Sequence, residues 1–191
     1  MNKNIILAGV GGQGILTISA IIDLAAMHNG LFVKQAEVHG MSQRGGAVQS
    51  HLRISDSEIF SDLIPLGKAD LILAVEPMEA LRYLPYLSAE GMIVSATKPF
   101  ENISNYPNPD EVMTTIRNSG KSILLDANEL ACEAGSFKSY NVVMLGAASH
   151  YIGIDAEQLE WGIENLFSAK GKDLVDINIK AFRIGMEASK N

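Results

Sequence analysis

Short apolar runs alternate along the chain with longer stretches in which apolar residues recur at helical spacing. The apolar runs predict strands at residues 5–10, 31–33, 47–54, 69–75, 91–95 and 122–126. The helical spacing predicts helices at residues 15–29, 78–84, 109–119, 127–133, 140–149, 155–166 and 174–184. This alternation is typical of a three-layer, Rossmann-like α/β domain with a mostly parallel sheet. We expect residues 1–191 to form one such domain.

Apolar and polar residues alternate strictly in the strand predicted at residues 47–54, which is the pattern of a half-buried strand. Its apolar side carries Val48, Leu52 and Ile54, and its polar side carries Gln49, His51 and Arg53. A turn at residues 55–57 follows, so residues 58–60 are predicted to return as the partner strand of a β-hairpin. The hairpin would make the sheet mixed, and His51 is interpreted as a structural residue of its polar face.

The first strand runs directly into a glycine turn, and Gly9, Gly11 and Gly14 have the spacing of a dinucleotide-binding motif. Glycine allows close approach of a ligand, and the following helix N-terminus favours a phosphate. Together with Gly12 and Gln13, these glycines are candidate cofactor-binding residues. The competing interpretation is a strand-to-helix joint whose glycines only permit close packing.

The acidic residue that binds the ribose in dinucleotide enzymes is missing at its usual distance, where Lys34 and Gln35 stand instead. Glu37 comes slightly too late, which weakens the prediction of a dinucleotide, although it remains a candidate. Glu76 is a further candidate, because it follows the apolar strand at residues 69–75 and precedes Pro77. Its alternative role is that of a carboxylate at a helix N-terminus, and Glu79 is placed to pair with Arg82 one turn later.

A second polar motif occupies residues 37–46 and is predicted to be a loop at the carboxyl edge of the sheet. It combines Glu37, His39, Gln43 and Arg44 with three glycines. Ligands and partners bind at this edge in open α/β sheets, so His39, Gln43 and Arg44 are candidates for completing a site. The alternative is a solvated loop in which Arg44 pairs with Glu37.

Composition narrows the classes of function. The chain has 191 residues, of which 47% are apolar, and a net charge of −7 without a basic run, which argues against nucleic-acid binding. Its single cysteine excludes an internal disulfide or a cysteine-ligated cluster, and Cys132 is interpreted as inert packing. We expect no signal peptide, no membrane span and a cytoplasmic location.

The two motifs at residues 9–14 and 37–46 together resemble the γ-type subunit of the 2-oxoacid:ferredoxin oxidoreductases. The sequence HGMSQR at residues 39–44 is most similar to the small β subunit of the indolepyruvate ferredoxin oxidoreductases. Further agreement lies in residues 69–77 and 141–146, and the resemblance covers nearly the whole chain.

The resemblance implies a complex that oxidatively decarboxylates an arylpyruvate with coenzyme A and passes the electrons to ferredoxin. Thiamine diphosphate, magnesium and [4Fe-4S] clusters would belong to the large α subunit, while this chain would bind no metal. It would be an accessory subunit, inactive alone and without a catalytic residue of its own. Whether the isolated chain forms a homodimer stays open.

Two other classes stay open at this stage. One is a free-standing NAD(P)- or FAD-dependent enzyme that uses the same glycines, and the other is a regulatory module that binds a nucleotide or coenzyme A. The misplaced acidic residue and the Gln43-Arg44-Gly45-Gly46 sequence favour the oxidoreductase subunit.

Overall fold

The computed structural model describes residues 1–40, 45–101 and 104–190, and of His39 it describes the backbone only. The strands are β1 Asn2–Val10, β2 Phe32–His39, β3 Ala47–Ser55, β4 Ala69–Ala74, β5 Leu87–Ala96 and β6 Lys121–Leu125. The helices are α1 Ile15–His28, α2 Pro77–Arg82, α3 Pro109–Ser119, α4 Ala127–Ala134, α5 Tyr140–Ile152, α6 Ala156–Phe167 and α7 Lys172–Ala188. The predicted positions of the helices are confirmed.

The strands form one sheet in the order β2-β3-β1-β4-β5-β6. Strands β1, β4, β5 and β6 are parallel, whereas β3 is antiparallel to both β1 and β2. The prediction of a mostly parallel sheet with an added hairpin is therefore confirmed.

The hairpin, however, uses other residues than predicted. Strand β2 continues through Glu37 to His39 and pairs with β3, so the predicted loop at residues 37–46 begins too early. The start of this strand was predicted at residues 31–33, but polar residues interrupt the apolar pattern beyond Val33, so its continuation was missed. Gln35 explains how they are tolerated, since its side-chain amide donates to the hydroxyls of Ser19 (3.2 Å) and Ser50 (3.0 Å) beneath α1.

The predicted partner strand at residues 58–60 is wrong, because that segment forms no strand. It belongs instead to a connection that crosses β3. The Arg53 guanidinium donates to the Ser61 carbonyl at 2.8 Å, and the Ile64 amide donates to His51 Nδ1 at 3.0 Å. His51 is buried, so its predicted structural role is confirmed.

Helices cover the sheet on both faces. The larger core packs α1 and α4 to α7 against the face that carries Ile5 and Leu7, and the smaller core packs α2 and α3 against the face that carries Ile6 and Ala8. The connections that leave β1 and β4 thus turn to opposite faces, which creates a switch point between these neighbouring strands.

Close packing of α5 against α7 depends on two glycines. A Cβ atom on Gly146 would overlap the Phe182 carbonyl oxygen, and one on Gly185 would overlap the Val143 carbonyl oxygen. The backbones of the two helices therefore touch directly.

Two local predictions are wrong. Cys132 is exposed on α4 and not packed in the core. The sequence Asp155-Ala156-Glu157-Gln158 predicts a capping box at the start of α6, but the Asp155 side chain forms no capping hydrogen bond, so this box is not made.

Candidate functional site

The carboxyl ends of β1 and β4 meet at the switch point, where open α/β sheets bind their ligands. The two strands are parallel neighbours with Ala8 opposite Ala74, and the Val75 amide continues the pairing by donating to the Ala8 carbonyl at 2.9 Å. Both the glycine turn and Glu76 follow directly from these strand ends, so both lie at the carboxyl edge of the sheet.

The glycine turn has a backbone that other residues would strain. Gly12 has φ +101° and Gly14, the N-cap of α1, has φ +81°. A Cβ atom on Gly14 would also collide with the Asn141 side chain, whose amide donates to the Gly14 carbonyl at 3.2 Å. Gln13 closes the turn, since its side-chain oxygen accepts a hydrogen bond from the Val10 amide at 2.8 Å.

The N-terminus of α1 is arranged to attract negative charge. Its N-cap contributes no side-chain hydrogen bond and its first turn contains no acidic residue. The first amides of a helix lack partners within the helix, and its N-terminus carries a partial positive charge. This end of α1 could therefore hold a phosphate or a carboxylate.

The structure brings the two sequence motifs together. The Gly11 amide donates to the Gly46 carbonyl at 2.8 Å, and the Gly45 amide donates to the Gly11 carbonyl at 3.4 Å. The end of the second motif therefore lies against the glycine turn of the first. The candidates Gln43 and Arg44 lie outside the described residues, and for His39 only the position at the end of β2 can be given.

A cleft of 340 Å³ opens beside the glycine turn. Gly11, Gly12 and Gln13 form one wall, and residues 98–100 form another. Phe137 and Tyr140 contribute aromatic rings with centroids 5.6 Å apart, and Phe137 is 56% exposed. The cleft therefore combines aromatic surface with the glycine turn that precedes the N-terminus of α1.

Lys98 is the charged side chain among the described residues that line this cleft. Its ammonium lies 3.3 Å from Asp126, which in turn caps α4 by accepting from the Glu129 amide at 3.1 Å. Burial raises the pKa of Tyr140, so its hydroxyl is neutral at physiological pH. This lining can bind and orient an anionic, partly aromatic molecule, but it contains no acid–base pair.

Glu76 is almost completely buried, with 1% of its surface exposed. Its Oε2 accepts from the Glu79 amide at 3.0 Å and caps α2, while Oε1 accepts from the Tyr106 hydroxyl at 2.5 Å and from the Phe100 amide at 3.3 Å. Burial, followed by this bond to Glu76, raises the pKa of Tyr106. Glu76 is thus a helix cap, as its alternative interpretation holds, and is not among the described residues lining the 340 Å³ cleft.

A second cavity of 190 Å³ lies next to the cleft, and Phe100 lines both. Glu79 and Arg82 face this second cavity, with Arg82 Nε donating to Glu79 Oε2 at 2.9 Å, so the predicted pair is confirmed. Burial raises the pKa of Glu79, and the bond from Arg82 opposes that shift.

The candidate Glu37 lies elsewhere in the sheet. It stands in β2 opposite Ser50, and its carboxylate accepts from Gln35 at 3.5 Å. It is not among the described residues that line the cleft. Glu37 therefore takes part in the polar cluster beneath α1.

Sequence reasoning missed most of the cleft lining, including its cation and its aromatic residues, Lys98, Phe100, Phe137 and Tyr140. They come from segments far from either motif along the chain. The one signal that could have found them is topological, because residues 97–100 follow β5 at the same edge of the sheet.

Two further properties of the described chain bear on its class. Across residues 1–40, 45–101 and 104–190, no His, Cys, Asp and Glu side chains are grouped closely enough to hold a metal ion. None of the helices in these ranges has both the length and the apolar character needed to cross a bilayer.

Residues 4–188 match the family described as pyruvate ferredoxin/flavodoxin oxidoreductase. The indolepyruvate oxidoreductase subunit IorB of Methanothermobacter thermautotrophicus is 42% identical, and the alignment covers 99% of this chain and 98% of that protein. The subunit of the same name in Pyrococcus horikoshii is 39% identical, with 98% and 96% covered. The chain therefore belongs to the pyruvate ferredoxin/flavodoxin oxidoreductase family, as its motifs predict.

A solved structure shares the fold. It is that of 2-oxoglutarate:ferredoxin oxidoreductase from Magnetococcus marinus with 2-oxoglutarate, coenzyme A and succinyl-CoA bound, and its TM-score is 0.78 at 22% identity. The match covers 99% of this chain but 31% of that longer chain. The family match and the relatives named as oxidoreductase subunits favour an oxidoreductase subunit over a free-standing dinucleotide enzyme.

Proposed function

We propose that this chain is the small accessory subunit of an arylpyruvate:ferredoxin oxidoreductase, with indolepyruvate as the representative substrate. The complex would decarboxylate the oxoacid oxidatively with coenzyme A, form the acyl-CoA and reduce ferredoxin. Support comes from the two relatives named indolepyruvate oxidoreductase subunits, which align over nearly their full length. In this proposal residues 1–191 form one γ-type domain that works in the cytoplasm.

The observation that carries the proposal is the composition of the cleft. Its described lining has a cation, aromatic rings and the glycine turn that leads into α1, but no acid–base pair. Oxidative decarboxylation requires thiamine diphosphate and iron–sulfur clusters to carry the chemistry. We assign those cofactors, with magnesium, to the large α subunit, so that the role of this chain is to bind and orient.

Coenzyme A is the ligand that fits the cleft best. Its phosphates suit Lys98 and the N-terminus of α1, and its adenine ring suits the surface of Phe137. The solved relative from Magnetococcus marinus contains bound coenzyme A, which supports this choice. A cavity of 340 Å³ is smaller than the whole cofactor, so we assign to it one end of the molecule.

His39, Gln43 and Arg44 are proposed to complete the site at the boundary with the α subunit. Support comes from their neighbours in sequence, because β2 ends at His39 and Gly45 lines the cleft. The planar fork of an arginine suits the carboxylate of an oxoacid or the phosphates of coenzyme A. The rival role for Arg44 is a local ion pair with Glu37, which if exposed would contribute only about 0–1 kcal/mol.

Replacing Arg44 tests this assignment. Arg44→Lys keeps the charge and loses the fork, and the control Arg117→Lys makes the same change in the last turn of α3. In the reconstituted complex we expect KM for the oxoacid or for coenzyme A to rise with assembly intact, and no change in the control. Unchanged kinetics would leave the ion pair as the better role.

Copurification from the native cell tests the proposed function itself. We expect a large subunit that contains thiamine diphosphate and iron–sulfur clusters to copurify with this chain in stoichiometric amounts. In parallel, the isolated chain can be titrated with NADH, FAD and coenzyme A while Trp161 fluorescence is followed. Tight binding of NADH or FAD, with no large partner, would support a free-standing dinucleotide enzyme instead.

A further inference from the structure

The connection between β5 and α3, residues 97–108, forms one wall of the cleft through Lys98, Pro99 and Phe100. One end of this β5–α3 connection is fixed to the neighbouring strand. The Thr97 amide donates to the Leu125 carbonyl at 3.0 Å, and Lys98 lies 3.3 Å from Asp126. What holds the rest of the wall is the buried carboxylate of Glu76.

Glu76 holds this connection at two points. Its Oε1 accepts from the Phe100 amide and from the Tyr106 hydroxyl, which lie 24 and 30 residues further along the chain. A buried carboxylate is costly unless its oxygens are hydrogen-bonded, and here both oxygens are. The carboxylate is itself held in place, because its Oε2 caps α2.

Capping alone does not explain this arrangement. Asn108 and Asp126 cap α3 and α4 with short side chains that accept the amides of Asp110 and Glu129. An asparagine or aspartate at position 76 could cap α2 in the same way. The longer glutamate adds the two bonds of Oε1, and both of these go to the β5–α3 connection.

The bonds of Glu76 Oε1 affect the cleft through the position of Phe100. The residue lines both the 340 Å³ cleft and the adjacent 190 Å³ cavity, so it separates the two spaces. Its backbone amide is bonded to Glu76. A shift of this backbone would change the width of the cleft and the distance from its far wall to the glycine turn.

We propose that Glu76 is a positioning residue that, through the Tyr106 hydroxyl and the Phe100 amide, fixes the wall between the two cavities and thereby sets the affinity of the cleft for its anionic ligand. The inference rests on the proposed function for the identity of that ligand, coenzyme A. Glu76 does not touch the ligand in this account, and the chemistry stays with the partner subunit.

The test compares Tyr106→Phe with Tyr86→Phe in the complex of this chain with its large subunit. Tyr106→Phe removes the hydroxyl that bonds Glu76, whereas Tyr86 packs its ring against His51 with centroids 5.1 Å apart. We expect Tyr106→Phe to raise KM for coenzyme A about three- to ten-fold, the factor that one hydrogen bond represents, with kcat unchanged. The control should change neither constant.

Hydrogen exchange on the full-length chain supplies a readout that needs no ligand. The Phe100 amide should exchange faster in Tyr106→Phe than in the wild type or in Tyr86→Phe. Glu76→Gln should also raise KM for coenzyme A, because an amide cannot accept hydrogen bonds on both sides.

Unchanged exchange and unchanged KM in Tyr106→Phe would overturn the proposal. Faster exchange without any change in KM would overturn it too, and so would a loss of kcat and assembly at unchanged KM, which indicates a purely structural role. A wild-type complex that does not use coenzyme A would contradict the proposed function, and the exchange comparison would then decide the role of Glu76 alone.

Discussion

At the residue scale, the glycines of the turn after β1 are needed for two different reasons, backbone conformation and close packing. Gly12 and Gly14 both have positive φ, but a Cβ atom on Gly12 would meet nothing within 4 Å, whereas one on Gly14 would strike Asn141. The first glycine is needed for backbone conformation and the second also for close packing. The turn is therefore a structural joint between β1 and α1 as well as the wall of a cleft.

Substituting these two glycines should separate the two requirements. Gly12→Ala should lower the free energy of unfolding by about 1 kcal/mol through backbone strain alone. Gly14→Ala should lower it by about 2 kcal/mol or more, because the Asn141 amide must also leave the Gly14 carbonyl. Urea denaturation of both variants measures the difference, and equal losses would contradict the role assigned to Asn141.

Asp23 in α1 makes the stability of the folded protein depend on pH. Burial raises its pKa from 3.8 to about 6, and its Oδ1 is buried without a hydrogen-bond partner. Since the pKa is raised on folding, the contribution of the protonated form to stability is complete below 3.8 and is lost as the pH rises through about 6. The ionised carboxylate is therefore destabilising at neutral pH.

Asp23→Asn should for that reason stabilise the protein at pH 7.5, by about 1–2 kcal/mol after allowance for partial exposure. The gain should shrink at pH 4.5, where the native Asp23 is mostly protonated. Denaturation at both pH values, with the exposed Asp176→Asn as control, measures this dependence. A gain of equal size at both pH values would show that ionisation of Asp23 is not its cause.

At the element scale, apolar patterns identified the buried strands β1, β4 and β5, because these are covered on both faces. They found only the start of β2 at residues 31–33, because Lys34, Gln35 and Glu37 break the pattern beyond it. Gln35 is tolerated in this strand because Ser19 and Ser50, which are distant in sequence, supply its hydrogen-bond partners. A local pattern contains no information about such partners, and for the same reason β3 was paired with the wrong neighbour.

Only the part of the candidate site whose residues are consecutive in the sequence could be predicted. The glycine turn was found because β1, turn and helix follow one another within residues 2–28. Lys98 and Phe100 come from the connection after β5, Phe137 from the connection after α4, and Tyr140 from the start of α5. They reach the cleft only because the fold brings these segments together. Their contribution is a property of the topology and not of a motif.

The contact of α5 with α7 should be the least tolerant of added volume. Gly146→Ala places a methyl group against the Phe182 carbonyl and should cost about 3 kcal/mol, because two helix backbones must separate. Thermal and urea unfolding measure the loss, with Thr114→Ala on the exposed face of α3 as control. A loss below about 1 kcal/mol would contradict direct backbone contact between these helices.

At the scale of the whole molecule, the described chain has an anion-attracting cleft but no grouped metal ligands and no acid–base pair in that cleft. The family it belongs to carries out redox chemistry. The relative from Magnetococcus marinus contains the same fold as 31% of a longer chain, so this fold also occurs there within a larger polypeptide. An accessory subunit that orients a ligand for a catalytic partner is consistent with all three facts.

Reconstitution tests this account most directly. Viologen dye reduction is measured with indolepyruvate, coenzyme A, thiamine diphosphate and magnesium for this chain alone, for the large subunit alone and for mixtures of increasing ratio. The account predicts no activity for this chain alone, and activity in the mixture that rises until the two subunits are equimolar. Dye reduction by the isolated chain, or full activity of the large subunit without it, would contradict the account.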